Sequence, residues 1–258
     1  MLNIFKKKKA KTSDLGWLGV DMHSHLLPGI DDGSPDVETS LALIAGLQEL
    51  GLRRFITTPH IYDEIFPNDR DSITQAQQRL NQALAHEQHA AAYGDLAQHG
   101  VQAAAEYMLD DDSVRKFEAA LQGKEALMTL PGDQILVEMS YQFERKDILE
   151  QLFQLQLGGY KPILAHPERY LYYHSDPKAY SRIRERGCHL QLNILSLSGY
   201  YGEGVRKMAQ NLVKEGMIDY IGTDLHHEKH LHALRQLLEK VDLEKLLQPC
   251  TLRNAQLF

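Results

Sequence analysis

The chain has little cysteine. Cys188 and Cys250 stand alone among 258 residues and fall in no paired motif, which argues against a disulfide framework or a cysteine-rich zinc site. Both read as small buried apolar side chains of a protein kept in a reducing compartment. Positive charge is also short: 28 Lys and Arg against 35 Asp and Glu leave a formal charge of −7. A body of that sign does not hold nucleic acid non-specifically, but it suits a site that gathers carboxylates around cations. No apolar run is long enough to span a bilayer. The start, Met-Leu-Asn-Ile-Phe and then Lys6 to Lys9 and Lys11, places basic residues after a very short apolar stretch. A secretory signal needs the reverse order and a longer apolar run. The expectation is a cytoplasmic protein with a basic, flexible tail over residues 1–14, which makes at most weak contact with an anionic membrane surface through Lys6 to Lys11.

Linkers, short-period repeats and low-complexity segments are absent as well, so residues 15–258 read as a single domain with enough chain to bury a full core. Strand-like runs fall at 18–22, 54–58, 101–106, 134–139, 161–165, 189–194 and 218–222. Helical patterns follow them at 36–50, about 72–92, 110–121, 146–157, 177–185, about 203–215 and 229–240. Such alternation points to parallel strands with helices packed outside. The economical fold is an α/β protein with a distorted (β/α)7 TIM-like barrel; an open doubly wound sheet is the alternative.

Histidine is what the chain has in quantity, 13 residues, and the chemistry lies in where they fall. The first strand runs into Asp21, His23 and His25, with Asp31 and Asp32 in the following loop. The second leads to His60, the third to Glu106, the fourth to Glu138, the fifth to His166, Glu168 and Arg169, the sixth to Asn193, and the seventh to Asp224, His226 and His227. In a parallel barrel these strand ends converge on one face. Carboxylates there are costly unless they meet cations, and the ligands outnumber what one ion needs, so two or three divalent ions are expected. Imidazole with carboxylate suits manganese, iron or zinc. His23 and His25, two apart on an extended segment, point to the same side. Asp21 is assigned to orienting one of them through its other ring N–H. Two neighbouring ions activate water and neutralise phosphoryl charge in phosphoester hydrolysis. Glu106 is the candidate bridge between ions. Arg169 either grips phosphate or pairs with Glu168. Asp31 and Asp32 are not separable on these grounds. Tyr62, Tyr107, Tyr170, Tyr172 and Tyr173 either wall an aromatic substrate or simply pack, and His86, His89, His99 and His174 read as surface residues.

The run Asp21-Met22-His23-Ser24-His25-Leu26-Leu27-Pro28-Gly29-Ile30-Asp31-Asp32-Gly33 closely resembles the opening motif of PHP-domain (polymerase and histidinol phosphatase) hydrolases. More narrowly it is similar to the CpsB/YwqE-type tyrosine-protein phosphatases of bacterial capsule and exopolysaccharide clusters. Thr57-Thr58-Pro59-His60, Ala105-Glu106-Tyr107, Leu136-Val137-Glu138-Met139, Ala165-His166-Pro167-Glu168-Arg169-Tyr170 and Gly222-Thr223-Asp224-Leu225-His226 agree, so the resemblance covers roughly residues 17–245. It implies a PHP fold and a trinuclear site, commonly manganese-loaded, held by His23, His25, Asp32, His60, Glu106, Glu138, His166, Asp224 and His226. It also implies that Arg169 contacts substrate phosphate. The implied reaction is hydrolysis of phosphotyrosine by a metal-bound hydroxide, on a protein such as the C-terminal tail of a tyrosine autokinase. The chain departs from the pattern after His226, where relatives carry a further arginine. Here none occurs before Arg235, and Lys229 or His230 stands in that stretch. A small-molecule phosphatase, such as one for histidinol phosphate, and a non-catalytic metal-stabilised scaffold are the competing functions.

Overall fold

The computed structural model describes residues 14–176 and 178–258. Lys6 to Lys11 and Pro177, the expected start of a helix, lie outside the described residues. The elements follow from local chemistry. Asp36 accepts the Thr39 N–H at 2.8 Å and starts α1 (Val37–Glu49); Gly51, at φ 100°, follows the end of it, as side-chain capping and a left-handed stop require. The second expected strand, 54–58, is shortened to β1 (Ile56–Thr57), and a further piece not expected, β2 (His60–Ile61), begins beyond Pro59, which has no N–H for the ladder. One long helix was expected over about 72–92. Instead α2 (Arg70–Ala85), α3 (Glu87–Tyr93) and α4 (Asp95–His99) occur, because His86 is extended at ψ 138° and Gly94 turns the chain at φ 55°.

The third strand is likewise two pieces, β3 (Gln102–Ala103) and β4 (Glu106–Met108). Asp110 caps α5 (Asp111–Leu121), its carboxylate accepting the Ser113 N–H at 2.8 Å. Then come β5 (Gln134–Glu138), α6 (Ile148–Leu157), β6 (Lys161–Ala165), α7 (Ala179–Glu185), β7 (His189–Asn193), α8 (Glu203–Lys214), β8 (Tyr220–Gly222) and α9 (Glu228–Lys240). A short α10 (Leu243–Leu246), which the sequence pattern did not suggest, ends the series.

Every strand pairs parallel to its neighbour. The order is β2-β4-β5-β6-β7-β8, with β1 beside β3. Hydrogen bonds from Ala104 N to Thr57 O (2.9 Å) and Glu106 N to Pro59 O (3.1 Å) bridge the two broken strands between their pairs. The order never reverses, so the doubly wound alternative, which needs a switch point, does not hold. The protein is a mixed α/β structure built on parallel strands.

The expected strand at 18–22 is not one. Gly16–Leu18 is a single 3₁₀ turn, Gly19 turns the chain at φ 81°, and only isolated parallel bridges follow, Asp21 to Phe55 and Ser24 to Leu225. This segment divides its backbone between two neighbours. Asp21 N donates to Arg54 O (3.0 Å) and Ile56 N to Asp21 O (2.9 Å) on one side. On the other, His25 N donates to Leu225 O (3.0 Å) and Asp224 N to His23 O (2.8 Å).

Apolar side chains sort into two clusters. The larger one packs the helices against Ile135, Val137, Leu164, Leu190, Leu192 and Ile221 on one strand face. The smaller gathers residues from around the strands: Val20, Met22, Ile56, Ala104, Leu136, Ile163, Ala165 and Tyr220. Both faces of the strands are therefore dry, as parallel sheets demand. Cys188 and Cys250 are free thiols. No helix among the described residues is long and apolar enough to cross a membrane.

Candidate metal centre

Residues that follow or interrupt the strands meet at one end of them. All nine expected ligands fall into four overlapping groups: His25, Asp32, His60 and His226; His23, Glu106 and His166; His23, His25 and Asp224; and His60, Glu106 and Glu138. Within each group the candidate ligand atoms lie within 4.8 Å of one another. Glu106 and His60 are not at strand ends as the sequence reading had them. They open β4 and β2 and sit opposite each other in register, so the broken strands deliver them side by side.

Two carboxylates organise the floor. Glu106 Oε2 lies 3.2 Å from His23 Nε2, 3.4 Å from His25 Nε2 and 3.2 Å from His60 Nδ1, while Oε1 lies 2.9 Å from His166 Nε2. Asp224 Oδ1 lies 3.3, 3.4 and 3.5 Å from His23 Nε2, His25 Nε2 and His226 Nδ1. One carboxylate oxygen cannot accept three well-aligned imidazole N–H bonds. His60 Nδ1, 2.9 Å from Glu138 Oε1, makes no hydrogen bond of acceptable geometry. Imidazole nitrogens and carboxylate oxygens that converge in greater number than hydrogen bonds can satisfy are what divalent ions complete, at about 2.0–2.2 Å per ligand for zinc. The donor set therefore fits metal.

The rim is more open. Asp32 Oδ1 stands 3.4 Å from His226 Nε2 and 3.6 Å from His60 Nε2, with its carboxylate 56 % exposed. Asp31, one residue earlier, is turned inward and accepts hydrogen bonds from His25 Nδ1 at 2.8 Å and from the Gly33 N–H at 3.0 Å. The loop is separated into a buried orienting residue and a ligand-facing one. Gly33 is required there, since a Cβ on it would lie 2.3 Å from His25 O.

Electrostatics report the same crowding. Burial disfavours a charged His60, yet Glu138 and Glu106 outweigh it and push the imidazole up to about 9. Against burial, Asp31 and neighbouring carboxylates hold His25 well above the usual histidine range. Burial opposes ionisation of Glu106 and Asp224 too, but the surrounding imidazoles hold both well below the usual carboxylate range. Despite some burial, His226 draws Asp32 down to about 2. Protons are thus favoured on His23, His25 and His60, where cations are wanted, whereas burial holds His166 below the usual histidine range. His166 and Asp224 also carry left-handed backbone at φ 32° and 48°, strain of the kind kept at functional sites.

Asp21 does not orient an imidazole. Its carboxylate accepts the Thr223 N–H at 3.0 Å and hydroxyl at 2.6 Å, tying the first loop to the last. The orienting partners are Asp31 for His25 and Gln191 for His23, whose Oε1 lies 2.7 Å from Nδ1. Gln191 was missed, although its alternation with Asn193 in an otherwise apolar strand was a signal: residues two apart share a face. Asn193 Nδ2 donates to Asp224 Oδ2 at 2.8 Å.

Arg169 does not pair with Glu168. Glu168 is buried and faces away, accepting the Asn193 N–H (3.1 Å) and the Ser196 hydroxyl (2.6 Å). Burial pushes Glu168 up to about 7. Arg169 instead donates to Asp224 Oδ2 at 2.9 Å and lies over two aromatic rings, 4.5 Å from the centre of Tyr141 and 4.4 Å from that of Tyr201. These rings, and Phe66 stacked on His60 at 5.4 Å, wall the site. Tyr107 and Tyr170 are core residues whose hydroxyls accept the Met128 and Met139 N–H groups. After His226, His230 is buried and accepts the His226 N–H at 3.3 Å, Lys229 is exposed, and Arg235 pairs with Glu49 at 2.7 Å.

Comparison with known proteins agrees with this geometry. A family model described as capsular polysaccharide synthesis, CpsB/CapC, matches residues 19–255. The tyrosine-protein phosphatase YwqE of Bacillus subtilis is 27 % identical over 228 residues, covering 86 % of this chain and 84 % of that protein. The tyrosine-protein phosphatase CpsB of Streptococcus pneumoniae is 24 % identical over 216 residues, 81 % and 83 % of the two chains. A solved chain from work on these two proteins, described as unique metal-dependent tyrosine phosphatases, superposes with a TM-score of 0.73 at 26 % identity and covers 91 % of this chain and 96 % of its own.

Proposed function

The chain belongs to the CpsB/CapC family of capsular polysaccharide synthesis, and from that premise we propose that it is a metal-dependent protein-tyrosine phosphatase. The observation that carries the proposal is the pair of carboxylate oxygens, Glu106 Oε2 and Asp224 Oδ1, each facing three imidazole nitrogens at 3.2–3.5 Å. His23, His25, Asp32, His60, Glu106, Glu138, His166, Asp224 and His226 are the proposed ligands of two or three divalent ions, manganese by preference and iron or zinc as alternatives. Bound there, such ions supply an activated water and neutralise charge on a phosphoryl group.

The chain's own residues do the rest. Gln191 and Asp31 fix the ring orientation of His23 and His25. Asn193 and Arg169 hold Asp224 by one oxygen and leave the other toward the imidazoles. Arg169 keeps N–H groups free for a phosphate oxygen, and the aromatic rings packed on it exclude water and suit an aryl ester. Asp21 serves by joining the two ends of the strand series.

We further read the strands as a distorted seven-stranded barrel of the PHP type, with residues 21–25 as the closing member. The backbone bonds of that segment to both neighbours support this, as does the small cluster fed from around the strands. Residues 15–258 are taken as one domain, the protein as cytoplasmic, and the substrate as a phosphotyrosine protein such as an autokinase tail. The test is turnover of a phosphotyrosine peptide against histidinol phosphate with manganese. Preference for the peptide is expected; a large preference for histidinol phosphate ends the tyrosine assignment, and hydrolysis of neither substrate favours a scaffold.

A further inference from the structure

Among the described residues, exposed large apolar side chains gather in one place. Leu121, Phe153 and Leu157 belong to helices on the outside, Phe258 is the last residue and Ile65 lies in the loop after β2, whereas Tyr141, Phe143, Leu171 and Tyr200 lie in the segments that follow β5, β6 and β7, at the mouth of the metal centre. Phe143 is 74 % exposed and Leu171 60 %. Neither packs the core, and exposed apolar groups gathered beside a site mark a surface that something covers.

The patch is continuous with the site. Tyr200 packs edge-on against Tyr201 at 5.0 Å, and the Arg169 guanidinium lies over both the Tyr201 and the Tyr141 rings. Tyr141 stacks on Tyr170 at 5.8 Å, and Tyr170 on Tyr172 at 5.9 Å. The Tyr172 hydroxyl donates to Ser140 O at 3.0 Å, which holds the turn bearing Leu171 against the turn bearing Tyr141 and Phe143. The Tyr141 hydroxyl itself reaches within 3.3 Å of His166.

We propose that this rim is a docking surface for the substrate's polypeptide chain and that it receives apolar side chains flanking the phosphotyrosine. The inference rests on the phosphatase reading and deepens it by naming what the enzyme recognises beyond the phosphoryl group. A phosphotyrosine whose phosphate reaches Arg169 must carry its neighbours across the mouth, since adjacent residues lie only about 3.3–3.6 Å further along an extended chain. Phe143 lies two residues beyond Tyr141, and Leu171 lies between Tyr170 and Tyr172 of the stack that begins at Tyr141. A second copy seated on the same patch would close the approach to Arg169, which argues against a copy as occupant.

The test uses the full manganese-loaded chain and the double variant Phe143→Ser/Leu171→Ser, whose positions are exposed and touch no proposed ligand. Three substrates are compared: a phosphotyrosine peptide with apolar flanks, one with Ser and Gly flanks, and para-nitrophenyl phosphate. The expected result is a fall in kcat/KM on the order of tenfold for the apolar-flanked peptide, through KM, as loss of two apolar contacts gives. The other two substrates keep their rates. Equal change for all three, or none for the apolar-flanked peptide, overturns the docking surface while leaving the phosphatase reading intact. A variant that turns a dimer into a monomer with unchanged peptide KM assigns the rim to a second copy and also overturns it. Wild type that hydrolyses none of the three defeats both.

Discussion

If the imidazoles hold protons where ions belong, the metal-free protein must lose stability as those protons leave. His60 is the quantifiable case. Its ordinary value near 6.5 is raised to about 9, with Glu138 and Glu106 overcoming burial. A group raised on folding contributes stability that is complete below its unfolded value and is lost as pH rises through its folded one. That rise corresponds to ~3 kcal/mol, and His25, raised by Asp31 and neighbouring carboxylates, acts in the same direction. The assay is urea denaturation of the chelated protein at pH 6 and at pH 9.5, followed by far-ultraviolet circular dichroism. The expected result is a midpoint that falls markedly over that interval, with most of the fall above pH 7. Saturating manganese is expected to abolish the fall, because cations then replace the protons beside the same carboxylates. A chelated protein equally stable at both pH values, or more stable at pH 9.5, refutes the reasoning.

Three further outcomes follow from individual contacts. Asp31→Asn removes the carboxylate that accepts the hydrogen bond from His25 Nδ1 and is expected to weaken manganese affinity about 10–100-fold, measured by competition with a chelator. Tyr201→Leu removes one of the two rings under the Arg169 guanidinium and is expected to weaken competitive inhibition by inorganic phosphate by ~0.5–2 kcal/mol. Tyr201→Phe, which keeps the ring, is expected to stay close to wild type in that assay. Gly33→Ala places a Cβ 2.3 Å from His25 O and is expected to lower both Tm and manganese content, the second by elemental analysis.

The candidate ligand set was legible because metal chemistry restricts residue type and because parallel strands bring their ends together. His166 and Asp224 fell after strands whose apolar runs were plain, at β6 and β8. The split of Asp31 and Asp32 was not legible from chemistry alone, since it depends on which carboxylate the loop turns inward around Gly33. Asp21 was misassigned because a carboxylate beside two histidines invites pairing with them, whereas the chain carries it back to Thr223. The first strand was overestimated because an apolar run does not reveal that its backbone serves two neighbours through single bridges. The long helix failed at His86, where the helical pattern gave no sign of extended backbone. Tyr141 and Tyr201 had no signal, because a ring that packs on a guanidinium from a distant loop leaves no local pattern.

Metal content and activity measured together on one preparation test the central claim most directly. Protein stripped by chelation, then loaded with manganese and desalted, is expected to hold two or three ions per chain and to hydrolyse phosphotyrosine peptide only in the loaded form. Glu106→Gln is expected to bind fewer ions and to lose most of that activity. Stripped protein that keeps full phosphotyrosine hydrolysis, or a Glu106→Gln variant with wild-type ion content and rate, contradicts the account.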